Sequence, residues 1–282
     1  MSVTKKQIRN ATKEGIKHGL IWFVLLFAFF PFYIMLVISF KDNDQFVRNP
    51  WWFDPMSAWH WENWSLAWGI VKIYLCNSMV ISIGSTVAVL VFAILTSYVL
   101  ARHKIPGTGV VYYGLIALMF LPGSAASLVT LFTLLIKFDM INKLWPLIVL
   151  GAAGGQAFCV FILRQFFEEI PKELFESAQI DGATPTQEIL YIVLPMSGAI
   201  IGTLAILQFI GSWNNLMLPL VILKDDALLP VTVGLMRLEG EYVKQWGQLM
   251  AGYTISSIPL VILFIFSMRL FIRGLTAGAI KG

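Results

Sequence analysis

From Gly19 to Phe40 the sequence carries no charged side chain, and five more long apolar runs follow it. About 20 helical residues are needed to cross the roughly 30 Å hydrocarbon core of a bilayer. A single globular core built from 282 residues cannot absorb six such runs. Composition agrees: 58% of the residues are hydrophobic and 13% charged, where an ordinary soluble domain is about a quarter charged. In lipid, each backbone N–H and C=O must be paired within its own segment or a closed barrel, so runs of this length read as helices. The expected fold is therefore all-α and integral to the membrane, with six transmembrane helices.

The spans are expected near Gly19–Phe40, Ile73–Leu100, Val110–Ile136, Leu144–Leu163, Met196–Leu223 and Leu249–Phe271, the third interrupted by Pro122-Gly123. This divides the chain into an amino-terminal segment (1–18), a six-helix domain (19–272) and a tail (273–282). The first run is too long for a signal-peptide core, and no small-residue cleavage site closes it. Before it stand Lys5, Lys6, Arg9, Lys13 and Lys17 against a single acid, Glu14, which sets the amino terminus in the cytoplasm. The carboxyl terminus then also falls inside. In that orientation the inner segments hold 12 Lys/Arg and the outer ones 8. The net charge of +4 is thus a topology signal, with no dense basic patch to suit nucleic acid. Cys76 and Cys159 lie in apolar runs and read as small packed hydrophobes, with no disulfide between them.

Apart from Arg269 at the inner edge of the sixth, the spans contain no Asp, Glu, Lys, Arg or His. Proton-driven carriers place ionisable groups at mid-membrane, so this absence argues against one. It argues less against sodium coupling, which can use carbonyls and hydroxyls. There is no Gly-x-x-x-x-Gly-Lys-Ser/Thr phosphate loop, so ATP hydrolysis would belong to another subunit. His18, His60 and His103 are scattered and form no catalytic or metal-binding set.

Polar side chains do enter the spans. Ser78, Ser82, Ser85, Thr86, Ser124, Ser127, Thr130 and Thr133 read as interhelical packing. Asn77, Gln208 and the cluster Trp213-Asn214-Asn215 are candidates for a solute pathway, since amides beside an aromatic face suit a neutral polyhydroxyl solute. Pro31, Pro122, Pro146, Pro219 and Pro259 fall within spans and fit kinked, gated helices. The segment from Lys41 to Lys72 is expected to be an outer loop. Its Trp51, Trp52, Trp59, Trp61, Trp64 and Trp68 suit anchoring at the membrane–water boundary more simply than stacking on a sugar.

The stretch from Arg164 to Pro195 faces the cytoplasm and holds six acids against two bases. Pro171 suits the first turn of a helix, with Glu173 near its positive end. Leu174, Phe175 and Ala178 share a face of that helix, and Asp181-Gly182 breaks it. Thr184 caps the next helix, Pro185 takes its first position and Gln187 completes a capping box. A compact helix–turn–helix knob follows.

This knob resembles the signature of inner-membrane permeases of binding-protein-dependent ABC importers: Glu-Ala-Ala, three residues, Gly, nine residues, Ile-x-Leu-Pro. Here it reads Glu176-Ser177-Ala178, then Gly182-Ala183, then Ile192-Val193-Leu194-Pro195, with Ser177 as the one departure. Asn77-Ser78, Trp213-Asn214, Pro219-Leu220 and the ending Arg273 to Gly282 are similar to the carbohydrate branch, in particular to the six-span member of the maltose permease pair. The resemblance implies a type I importer transmembrane domain in the bacterial inner membrane, moving a sugar or oligosaccharide by alternating access. The chain would be a transport subunit and not an enzyme.

By that resemblance Glu176, Ser177, Ala178, Asp181, Gly182, Ala183, Leu194 and Pro195 belong to a coupling helix that docks on an ATPase. Gly278, Ala279 and Lys281 of the tail would reach the same partner. The implied complex has a second homologous permease, two ATP-binding subunits that hold ATP and Mg, and an extracytoplasmic solute-binding protein. This chain itself would carry no cofactor or metal. A non-sugar solute such as glycerol phosphate is the alternative inside the family, and an ion-coupled secondary carrier the alternative outside it.

Overall fold

The computed structural model describes residues 2–103, 105–121, 125–239 and 245–279. Among them every regular element is helical. The expected break at Pro122-Gly123, and Ser124, Glu241, Lys244 and Lys281, lie outside the described residues. Contacts divide the chain into two compact units, one of residues 1–71 with 237–257 and one of residues 72–236 with 258–282.

The first unit opens with helix α1 (Ser2–Ser39), which runs through residue 18 without a break. From Lys13 onward it is apolar enough to span a membrane. Trp22, Phe23 and Phe27 stand exposed along it, as befits a helix whose solvent is lipid. Its carboxyl end is different: Val37, Ile38, Ser39, Phe40 and Lys41 are buried. Orphan carbonyls at a helix end need partners, and Asn63 Nδ2 supplies them, donating to Ser39 O at 3.1 Å and Lys41 O at 2.9 Å. Lys41 is itself paired with Asp54.

A short helix α2 (Asn43–Arg48) follows, started by a capping box of Asp42 and Gln45. The tryptophan-rich stretch folds largely on itself. Trp59, Trp61 and Trp64 lie with ring centroids 4.6, 4.9 and 5.4 Å from Phe40. Trp51 stacks on Phe30, while Trp52 and Trp68 are exposed. Trp51 and Trp61 nevertheless keep more than half of their surface exposed, so much of this aromatic surface is left uncovered. The expected outer loop is also shorter than the sequence suggested. Helix α3 (Glu62–Arg102) already includes Trp64 and Trp68. No proline interrupts this stretch, and Glu62 in the first turn favours an earlier start.

The second unit takes up α3 from Lys72. The third expected span is two shorter apolar helices, α4 (Thr108–Met119) and α5 (Ala125–Lys137). Among the described residues, five helical stretches are long and apolar enough to cross a bilayer, and this pair supplies a sixth apolar segment. Helix α6 (Trp145–Glu169) has Pro146 in its first turn, where proline costs no hydrogen bond. Pro146 thus starts its helix and does not kink it.

Next come α7 (Lys172–Ile180), α8 (Pro185–Glu188), one widened turn of π-helix (Ile189–Val193) and α9 (Leu194–Trp213). The widened turn precedes Pro195, whose ring would strike a carbonyl of the preceding turn in a regular helix. The helix that carries the fifth apolar run begins at Pro185, ahead of the expected span at Met196, because α8 and the π turn run straight into α9. It breaks at Asn214–Leu216 before α10 (Met217–Ile222). Helix α11 (Val231–Glu239) follows, and α12 (Trp246–Ala279) continues past residue 273.

One core of this unit joins Val89, Ala93 and Tyr98 of α3, Cys159, Val160, Leu163 and Phe167 of α6, Phe175 of α7 and Leu204 of α9. A second gathers Ile81, Leu135, Leu147, Ile222, Leu229 and Val233. Both cysteines are free thiols, Cys159 buried and Cys76 exposed.

Candidate coupling knob and solute cavity

The knob is built as its sequence dictates. Helix α7 ends with Asp181 at its C-cap and Gly182 in the left-handed region at φ +81°. Ala183 N donates to Ala178 O at 2.9 Å, and Gly182 N to Gln179 O at 3.0 Å. These two bonds form a Schellman closure, which needs a left-handed residue after the cap and so favours glycine. Thr184 then caps α8. Its side chain accepts from Gln187 N, the Gln187 side chain accepts from Thr184 N, and Pro185 takes the first position.

Only one side of α7 is anchored. Phe175 is buried, and the Arg102 guanidinium lies 4.0 Å over its ring. Arg102 also donates to the carbonyls of Phe167 and Ile170, at the end of α6, where a cation offsets the negative end of the helix dipole. The signature residues Glu176, Ser177, Asp181 and Gly182 face outward and are exposed, whereas Ala178 and Ala183 are half-buried. Ile180 is 87% exposed at the tip. Leu194 is half-buried and Pro195 exposed on the helix leading away. An exposed acid thus stands near an uncovered apolar tip.

In the sequence Glu188 is one of the six acids of this stretch. In the structure it is buried. Its carboxylate accepts from Tyr98 Oη at 2.5 Å and from Gln179 Nε2 at 2.9 Å. The spacing of the chain gives no hint of that pairing, because Tyr98 lies far away on α3.

The candidate pathway residues separate. A cavity of about 270 Å³ is lined by Ser78, Gly151, Gly155, Gln208, Ser212 and Asn215 among others, with no charged side chain among the described residues of its lining. Gln208 Nε2 donates to Gly151 O at 2.9 Å. Three glycines of α6, at 151, 154 and 155, give this cavity a floor of bare backbone. That Gly-Ala-Ala-Gly-Gly run was the missed signal in the sequence.

Trp213 is buried beside the cavity's residues and stacks on Phe209 at 5.6 Å, and Asn214 is exposed at the helix end. Asn77 does not line the cavity. Its Nδ2 donates to Ala227 O at 2.9 Å and Leu229 O at 3.1 Å, while Ser78 Oγ accepts from Val231 N at 2.8 Å. This pair fixes the start of α11. In the tail, Gly278 and Ala279 close α12.

Residues 72–277 match the family described as the inner membrane component of binding-protein-dependent transport systems. The chain belongs to that family. The permease is 33% identical over 265 residues to the arabinooligosaccharides transport system permease protein AraQ of Halalkalibacterium halodurans, covering 92% of this chain and 94% of that one. It is 28% identical over 287 residues to the maltose/maltodextrin transport system permease protein MalG of Salmonella typhimurium, covering 94% of each. Its fold is that of a chain in a bacterial ABC transporter involved in the import of the acidic polysaccharide alginate. There the TM-score is 0.80 at 16% identity, over 92% of this chain and 96% of that one. This permease is accordingly a multi-pass transport subunit of the inner membrane and not an enzyme.

Proposed function

We propose that this permease moves a neutral sugar or oligosaccharide inward by alternating access, driven by ATP hydrolysis in two partner subunits. The observation that carries the reading is the knob, which holds Phe175 inward and presents Glu176, Asp181 and Gly182 outward. Glu176 meets basic groups of the ATPase, and Ala178, Gly182 and Ala183 allow close approach. Leu194 and Pro195 pass the displacement into α9. ATP and Mg are bound by the partner, whose interface the tail residues Gly278, Ala279 and Lys281 reach. A second, homologous permease completes the pathway, and an extracytoplasmic binding protein delivers the solute. Both termini of this chain lie in the cytoplasm.

The relatives named for oligosaccharide and maltodextrin transport support the sugar class. The uncharged cavity supports a neutral one, since an anion would call for Lys or Arg. Gln208, Ser212 and Asn215 offer amides and a hydroxyl to sugar hydroxyls, and the neighbouring Trp213 and Asn214 complete the proposed pathway.

The test is ATP hydrolysis by the complex in liposomes with its binding protein and a panel of sugars, for the parent and for Glu176→Lys. Sugar-stimulated hydrolysis in the parent, lost in an assembled Glu176→Lys complex, is the expected result. Stimulation that survives the charge reversal would overturn the role given to the knob.

A further inference from the structure

Glu188 stands outside the family signature, among the nine unspecified residues between Gly182 and Ile192. The cap of α8 does not need it either, because Thr184 and Gln187 complete their box without it. Yet Glu188 is 3% exposed, and a carboxylate is costly to bury unless its oxygens are bonded. Both are. Oε2 accepts from the hydroxyl of Tyr98, itself buried near the inner end of α3. Oε1 accepts from Gln179 in the last turn of α7. One carboxylate therefore joins three elements: the α3 span, the outward-facing helix α7 of the knob, and its own helix α8, which leads through the π turn into α9.

The neighbourhood is built around this junction. Arg102, one turn beyond Tyr98, grips the end of α6 and covers Phe175 of the knob. Tyr98, Arg102, Glu176, Gln179 and Glu188 line one groove of about 690 Å³. Pushing α7 without moving α3 would break the Gln179–Glu188–Tyr98 chain and leave a buried carboxylate oxygen unpaired. That penalty makes the junction stiff.

We propose that Glu188 is a positioning residue for coupling: it holds α7 through Gln179 and α3 through Tyr98, so that displacement of the knob is carried into the α3 span as well as into α9. This rests on the reading of the knob as the ATPase-docking element. The test uses the full complex in liposomes and compares Glu188→Ala, Glu188→Gln, Tyr98→Phe and the Ala/Phe double variant. Glu176→Lys serves as a control. The readouts are the amount of assembled complex, the ratio of sugar-stimulated to unstimulated hydrolysis, and sugar moved per ATP.

Glu188→Ala and Tyr98→Phe should each lower sugar moved per ATP, the first by about tenfold. The double variant should be no worse than Glu188→Ala. Glu188→Gln should retain most of the parent value, because its oxygen still accepts from Gln179 and its amide can donate to the Tyr98 oxygen. Normal transport per ATP in both single variants at normal assembly would overturn the proposal, as would losses that multiply in the double. Should Glu188→Ala fail to assemble, the isosteric pair decides: Tyr98→Phe uncoupled with Glu188→Gln coupled supports the junction, and equal coupling in both overturns it. A Glu176→Lys complex that keeps its stimulation marks failure of the knob reading itself. Loss in Glu176→Lys with none in the Glu188 and Tyr98 variants marks failure of the junction alone.

Discussion

Gly155 lies so close to Gln208 that a Cβ built on it would fall 2.2 Å from Oε1. The same Gln208 donates to the carbonyl of Gly151, one turn before Gly155 on the same helix α6. Bare backbone on α6 and an amide on α9 thus shape the cavity together. Each fixes the room the other has.

Gly155→Ala should therefore push the Gln208 amide off Gly151, at a cost of about 1–3 kcal/mol as an overpacked site. Sugar uptake should fall while the complex still assembles. Gly155→Ala/Gln208→Ala should recover part of the lost stability, read as folded complex surviving a heating series. Equal stability of parent and Gly155→Ala would show that the amide is free to move.

The turn of the knob should respond to conformation and not to space. Nothing lies within 4 Å of a Cβ on Gly182, but φ is +81°. Gly182→Ala should then destabilise α7 by about 1–2 kcal/mol, and Gly182→Asn by less. Thr184→Ala should cost about 1 kcal/mol at the start of α8, with Thr184→Ser close to neutral. Hydrogen exchange of residues 172–193 in the reconstituted complex reads both effects directly.

These knob features were legible in the sequence because they are local. Gly182, Thr184, Pro185 and Gln187 act on neighbours within a few residues, and the structure keeps the turn and the capping box where their spacing put them. The apolar spans were legible for a similar reason, since membrane thickness fixes their length. Element ends were less so. Glu62 starts α3 earlier than expected, and α8 joins α9 through a widened turn, because an apolar run marks the stretch that suits lipid and not where the helix carrying it begins. Long-range polar pairing was not legible at all. Tyr98 and Glu188 are 90 residues apart, and no period or spacing links them. Asn77 shows the converse: its polarity was plain, but its partners at Ala227 and Leu229 make it a clasp on α11.

In the first unit, Gly247 should tolerate no side chain. A Cβ there would lie 2.1 Å from the backbone oxygen of Lys41 and 2.2 Å from Asn63 Nδ2. Backbone cannot rotate away as a side chain can, so Gly247→Ala should cost at least about 1–3 kcal/mol. The check is its yield of folded complex beside Gly69→Ala, where a Cβ meets nothing within 4 Å.

The Lys41–Asp54 pair should be asymmetric. The Lys41 side chain is 2% exposed and that of Asp54 27%. Asp54→Asn strands a buried ammonium and should cost up to about 3–5 kcal/mol. Lys41→Met leaves a carboxylate that water can reach, and should cost less. Thermal stability of the two variants in detergent orders them, and the reverse order would contradict the burial of Lys41.

Transport by this permease is proposed to be powered by a separate ATPase. The most direct measurement is uptake of labelled oligosaccharide into liposomes holding the complete complex. Binding protein would be supplied on one side and ATP on the other, beside liposomes that lack only the ATPase. Uptake that requires both ATP and the ATPase, and that disappears with Glu176→Lys, is the predicted result. Uptake that continues without the ATPase, or that follows an imposed ion gradient, would contradict the account.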